Sequence, residues 1–272
     1  MIFNNQNRIT AIGTGTSTGI PIIGCLCNVC TSLDHRDQRL RTSIYVETRN
    51  GKKFLVDTTP DLRTQFLRNK ISELDFVLIT HEHADHLHGI DDLRPFGFKS
   101  SNKSIPIYTT LKTQQIIENR FDYIFKSRTP GATIGGGIPR LYLNDVPLNQ
   151  NIVIEGEEFY FFTYSHGHCE TMGFIHEQMA YIVDCHNLSD KILDELRKRK
   201  LKLLIIDCVQ NAPHSTHLCV TKTFEYIKQI KPAQAGLIHM GHDLGHQALL
   251  NIAKKEFGDH VFPLYDQQSL FY

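Results

Sequence analysis

The chain has 272 residues, with 29 basic and 29 acidic side chains and a formal net charge of zero before histidine. Its 41% hydrophobic and 21% charged content excludes a disordered, collagen-like or small disulfide-framework protein. The neutral balance shows no sign of the clustered basic surface that nucleic-acid binding needs.

The polar opening Met1–Arg8 lacks the apolar stretch of a signal peptide, and no apolar run approaches the roughly 18 residues of a membrane span. A cytoplasmic protein is expected. Short β-branched, apolar runs predict strands at Ile9–Ile12, Ser43–Glu47, Phe54–Val56, Phe76–Ile79, Ile105–Tyr108, Phe159–Thr163, Ala180–Val183, Leu203–Ile206 and Ala235–Ile238. Helical spacing predicts helices at Asp61–Asn69, Thr110–Phe125, Ser189–Lys200 (with Ser189 as N-cap), Thr221–Ile230 and Gln247–Phe257. No repeat or linker divides the chain, so one α/β domain over residues 1–272 is expected, with mixed sheets packed as a sandwich and helices outside. Two glycine-rich loops, Gly13–Gly24 and Pro130–Pro139, stand out. The basic run Arg197–Lys202 reads as a solvated helix end that complements the helix dipole.

Fifteen histidines and seven cysteines are the unusual feature. His81, His83, Asp85 and His86 fall within six residues directly after an apolar strand. In extended chain His81 and His83 point to the same side, and the turn that follows can bring Asp85 and His86 to a second point nearby. Neutral imidazoles with a carboxylate suit zinc, manganese or iron. The helical zinc-protease pattern H-E-x-x-H fails, because Asp85 stands where its second His belongs. Further ligands belong at the ends of later strands, where His166, Asp184 and His239 each follow an apolar run.

Cys25, Cys27 and Cys30 form C-x-C-x-x-C, which places three thiolates in one short turn. A closed structural zinc site needs a fourth N or S ligand from elsewhere. The isolated Cys169, Cys185, Cys208 and Cys219 read as small buried hydrophobes. The preceding Gly13-Thr14-Gly15-Thr16-Ser17-Thr18-Gly19 fails as a phosphate loop, because no Gly-Lys-Ser/Thr follows and no helix opens there.

His81-Glu82-His83-Ala84-Asp85-His86 resembles the H-x-H-x-D-H signature of the metallo-β-lactamase superfamily, and His166, Asp184 and His239 follow in its order. The resemblance implies an αββα four-layer sandwich with a binuclear metal site at one edge. It implies one ion on His81, His83 and His166, a second on Asp85, His86 and His239, and Asp184 bridging them. His168 competes with His166 but fits the H-G-x-x-x-x-x-G-F wording less well.

The glycine loop with the cysteine triplet is similar to the branch containing the phosphoribosyl cyclic phosphodiesterase of phosphonate breakdown. That likeness implies His242 as fourth ligand of a structural zinc and His217, in Pro213-His214-Ser215-Thr216-His217, as the catalytic His. An imidazole of pKa about 6.5 can protonate a leaving alkoxide at neutral pH. Asp57 and Asp61 are expected to orient ligand imidazoles.

The implied activity is hydrolysis of a small cyclic phosphate by a metal-bridged hydroxide on two divalent ions, zinc or manganese. Its partner is a small phosphodiester, without membrane or nucleic acid, and a homodimer is allowed. The alternatives are a tRNA 3′-end-processing endoribonuclease, another hydrolase of the same fold acting on lactams or thioesters, and a non-catalytic metal or cofactor carrier.

Overall fold

The computed structural model describes residues 5–98, 104–125 and 139–272, so the Pro130–Pro139 loop, apart from Pro139, lies outside the described residues. The first half runs β1 (Arg8–Gly13), β2 (Ser43–Glu47), β3 (Lys53–Val56), α1 (Leu62–Asn69), β4 (Phe76–Leu78), the short helices α2 (Ala84–Leu87) and α3 (Arg94–Phe98), β5 (Ile105–Thr109), α4 (Leu111–Arg120), α5 (Asp122–Phe125) and β6 (Leu141–Asp145). The second half runs β7 (Asn151–Ile154), β8 (Glu157–His166), β9 (Cys169–His176), β10 (Met179–Ile182), α6 (Asp190–Lys198), β11 (Leu203–Asp207), α7 (Val220–Ile230), β12 (Gln234–Ile238), α8 (His246–Phe257), β13 (Val261–Pro263) and β14 (Ser269–Phe271).

These strands form two seven-stranded sheets, in the orders β14-β1-β2-β3-β4-β5-β6 and β13-β12-β11-β10-β9-β8-β7. Strands β3 to β6 run parallel, and so do β10 to β13. Period-two alternation explains why the strands read as continuous apolar runs. Ile44, Val56 and Phe76 face Phe161, Phe174 and Ile205 between the sheets. Their neighbours Tyr45, Leu55 and Val77 turn outward onto Leu62 and Phe66 of α1 and Ile117 of α4. On the other side Leu204 and Ile206 meet Leu193, Phe224 and Leu249 of α6, α7 and α8. Each fully buried Phe, Leu or Ile contributes about 1.5–3 kcal/mol, so both faces of both sheets hold the layers together. The chain adopts the expected αββα sandwich.

Two departures from the sequence reading have clear causes. Thr110–Phe125 is not one helix, because Phe121 leaves helical geometry (φ −116°, ψ 46°) to bury its ring. Among the strands that the apolar runs did not predict, β6, β7, β13 and β14 are the four sheet edges, which are short and partly exposed. Ser189 caps α6 as expected, accepting from the Ile192 N–H at 3.4 Å. In the basic run near its end Arg197 pairs with Asp194 and Arg199 with Glu195.

A buried Arg39 ties the cysteine loop to the segment after β12. It donates to the Gly241 and Leu244 carbonyls at 3.0 and 2.6 Å and pairs with Asp37 at 3.0 Å. Asp37 also accepts from the His246 N–H at 2.7 Å. Burial of the His246 imidazole, reinforced by Arg36 and Arg39, pushes its pKa down to about 4. Unfolding frees that ring to protonate near its ordinary value of about 6.5, so the unfolded chain binds more protons between these values. Stability should therefore fall as pH drops from 6.5 towards 4, with this residue contributing to the loss. Urea midpoints of wild type and His246→Leu at pH 7 and 4.5 check this: the wild type should lose more, and equal losses would contradict it.

Candidate metal centre

The site lies where the parallel strands end. Asp57 follows β3, His81 follows β4, Asp184 follows β10, Asp207 closes β11 and His239 follows β12. β8 runs in the same direction as β10, through antiparallel β9, and delivers His166 at its end. Asp57, Asp184 and His239 have φ of 67°, 50° and 64°. Such left-handed backbone is costly for non-glycine residues and concentrates where a side chain must be aimed. Gly89 lets the segment after α2 close onto the Asp57 loop, since a Cβ there would lie 1.9 Å from the Thr59 carbonyl oxygen.

The sequence candidates converge. Donor atoms of His81, His83 and His166 lie within 4.8 Å of one another, as do those of Asp85, His86 and His239. Asp184 touches both groups. Its Oδ2 is 2.7 Å from His86 Nε2, while Oδ1 is 3.3 Å from His239 Nε2 and 3.6 Å from His166 Nε2. His217 Nδ1 is 3.3 Å from Asp184 Oδ1. His166 is buried and faces the cluster, whereas His168 is exposed on the turn beyond it.

Electrostatics favour cations here. Burial opposes ionisation of Asp184, yet His239 and His86 hold its pKa well below the usual range. Burial likewise opposes charging of His86, but Asp85, Asp184 and Asp57 together raise its pKa well above the imidazole norm. His81, deep in the cluster, is pushed down by burial and by its neighbouring imidazoles. Among the described residues, buried His81 Nε2 has no hydrogen-bond partner, and His86 Nε2 faces the carboxylates of Asp85 and Asp184. Lone pairs that converge unsatisfied inside a protein fit divalent metal ions.

Surrounding groups fix the rings. Asp57 Oδ2 lies 2.7 Å from His86 Nδ1, and the same carboxylate accepts from the Thr80 N–H and hydroxyl at 2.8 and 2.9 Å. Thr80 Oγ1 in turn lies 3.0 Å from His81 Nδ1, so one buried carboxylate orients two imidazoles. Asp61 behaves otherwise than expected. Its carboxylate takes the Arg41 side chain and backbone N–H, both at 2.9 Å, and orients no histidine.

Sequence reasoning passed over Asp207, Cys169 and Thr16. Asp207 Oδ2 accepts from the Cys185 and Leu218 N–H groups and lies 3.4 Å from His217 Nδ1. Its signal was present, because it closes an apolar strand in the same way as Asp184 follows its own. Thr16 Oγ1 lies 3.2 Å from His239 Nε2. Cys169 is a partly exposed thiol 3.5 Å from His83 Nε2, not a buried hydrophobe, whereas Cys185, Cys208 and Cys219 are buried as expected.

The cysteine triplet gathers around one imidazole. Cys25, Cys27 and Cys30 sulfurs stand 3.3, 3.6 and 3.8 Å from His242 Nδ1. Tetrahedral zinc with bonds of about 2.0–2.3 Å has ligand–ligand edges of roughly 3.5–3.8 Å, so this spacing fits. Backbone N–H groups of Cys30 and Val29, with the flanking thiols, lower the Cys27 pKa to about 6, while burial lifts that of Cys30 to about 11.

An αββα sandwich with paired His/Asp clusters where its parallel strands end is the metallo-β-lactamase fold, with residues able to hold metal ions. The β-lactamase superfamily domain matches residues 52–240, and the chain belongs to that superfamily. A diphosphatase of the PhnP family is similar over 98% of this chain and 97% of its own, with 31% identity and a TM-score of 0.86. Zinc-bound PqqB from Methylobacterium extorquens has a TM-score of 0.78 at 15% identity over 97% of this chain and 99% of its own, a likeness of fold. An octanoyltransferase of Porphyromonas gingivalis is 33% identical over 247 residues, which are 90% of this chain. The chain spans only 48% of that protein's length, about half. No helix among the described residues is long and apolar enough to cross a membrane.

Proposed function

We propose that the protein is a two-metal phosphodiesterase acting on a small phosphodiester, with a cyclic sugar phosphate as the substrate class. The observation that carries it is the pair of donor triads joined by Asp184, with His217 on their rim. In this reading His81, His83 and His166 hold one divalent ion and Asp85, His86 and His239 the other, zinc or manganese, with Asp184 shared. Cys25, Cys27, Cys30 and His242 hold a structural zinc. When bound, the two active-site ions supply Lewis acidity, which activates a water and offsets negative charge on the phosphoryl group.

The chain's own part concerns orientation and the proton. Asp207 and Asp184, working against burial, raise the pKa of His217 above its ordinary value. With Nδ1 turned to these carboxylates, Nε2–H is the nitrogen free to donate to a leaving oxygen. His217 also lines a cavity of about 610 Å³ with Ser165, Asn187 and His214, which is room for the alcohol half of the substrate. The likeness to a diphosphatase at 31% identity supports chemistry at phosphorus.

His217→Ala should lower turnover of an alkyl phosphodiester by about 10²–10⁴ with metal content unchanged. The loss should be much smaller on a p-nitrophenyl ester, whose leaving group needs no proton. Equal loss on both, or loss of metal, would contradict the acid role. The reading as a whole is tested by presenting 2′,3′-cyclic nucleotides, cyclic sugar phosphates, a dinucleoside diphosphate, a lactam, a thioester and a precursor tRNA in parallel. The small phosphodiesters should turn over fastest; a preference for the precursor tRNA, the lactam or the thioester would reject it.

A further inference from the structure

We propose that Cys169 is a positioning residue for the metal centre, its sulfur accepting the outward N–H of His83 so that His83 presents Nδ1 to the site. The observation is a pattern across the ligand imidazoles. Three of them present Nε2 inward and satisfy Nδ1 with oxygen: His81 on Thr80 Oγ1 at 3.0 Å, His86 on Asp57 at 2.7 Å, and His166 on the Thr216 carbonyl at 3.0 Å. His83 is turned the other way. Its Nδ1 faces the cluster, 3.2 Å from His166 Nε2, and its Nε2 meets Cys169 Sγ at 3.5 Å.

A neutral imidazole carries one proton, so the nitrogen that bears it decides which nitrogen can bind a cation. An acceptor opposite Nε2 holds the proton there and leaves the Nδ1 lone pair free. The sulfur also lies against the Glu82 carboxylate, which is fixed by the Thr113 hydroxyl at 3.3 Å. The thiol thus has an acceptor for its own proton while its lone pairs face His83.

The fold explains how Cys169 reaches this place. β8 and β9 join through the two-residue turn Gly167-His168, with Gly167 at φ 59°. His166 and Cys169 are register partners across that turn, so their side chains leave the hairpin on the same face. One flank of the turn provides a ligand and the other the group that orients a second ligand.

The proposal rests on His81, His83 and His166 sharing one cation, and the test separates the two. Cobalt(II) is titrated into full-length protein whose cysteine site is already filled with zinc, and its visible bands are read under chelator competition. Wild type should bind cobalt at the histidine site. Cys169→Ala should bind that ion about 10-fold more weakly with altered bands, and Cys169→Ser, which restores an acceptor, should return towards wild type. Absence of cobalt bands in the wild type would reject the shared-cation reading itself. Wild-type affinity and spectrum in Cys169→Ala would overturn the positioning role, as would Cys169→Ser failing as badly as Cys169→Ala.

Discussion

Asp184→Asn should reduce phosphodiester turnover by at least about 10³-fold, equivalent to roughly 4 kcal/mol of barrier, and should release at least one active-site ion. Asp184 is the carboxylate that reaches both halves of the centre, with one oxygen 2.7 Å from His86 and the other near His239, His166 and His217. Asparagine keeps its shape and tolerates the left-handed backbone at φ 50°, so the substitution isolates charge from geometry. Metal analysis by mass spectrometry beside a turnover assay checks both parts. Retained metal with retained turnover would remove Asp184 from its shared role.

Losing the cysteine site should cost stability on the largest scale. The loop from Gly19 to Ser32 exposes Ile23 and Leu26 at 102% and 87% of their reference surface, and Leu33 beyond it at 102%. Beyond the buried Ile20, a loop that sends such residues to solvent has little core of its own and depends on its three thiols with His242, on Arg39 and on a few backbone bonds. Replacing Cys25 and Cys27 together with serine should abolish zinc retention and lower Tm by about 10 °C or more, for a loss of several kcal/mol. The effect should reach the active centre, since His242 stands three residues after His239 and Arg39 binds the carbonyls of Gly241 and Leu244. A melting curve and zinc count unchanged in this variant would contradict the structural role.

Much of this was legible because the strands near the site are buried on both faces. Ala180–Val183 and Ala235–Ile238 announce themselves as strands, and the polar residue that ends such a run is then conspicuous, as with Asp184 and His239. The edge strands hid for the opposite reason: β6 and β14, half exposed, have no apolar signature to detect. Residues that act by touching another side chain were hidden too. Cys169 becomes meaningful only when a hairpin register sets it across from His166, and Asp57 and Asp61 look alike until Arg41 claims the second. The split at Phe121 belongs with these, since helical spacing continued past a residue whose ring the core required.

The central claim is that this site cleaves phosphodiesters through ions held by its histidines and aspartates. The direct measurement is hydrolysis of bis(p-nitrophenyl) phosphate by protein stripped of active-site metal and retitrated with manganese or zinc while zinc stays in the cysteine site. Hydrolysis should be absent at the start and rise to saturation as two further ions per chain are bound. Full hydrolysis in the stripped protein, or none with any divalent metal at full occupancy, would contradict it.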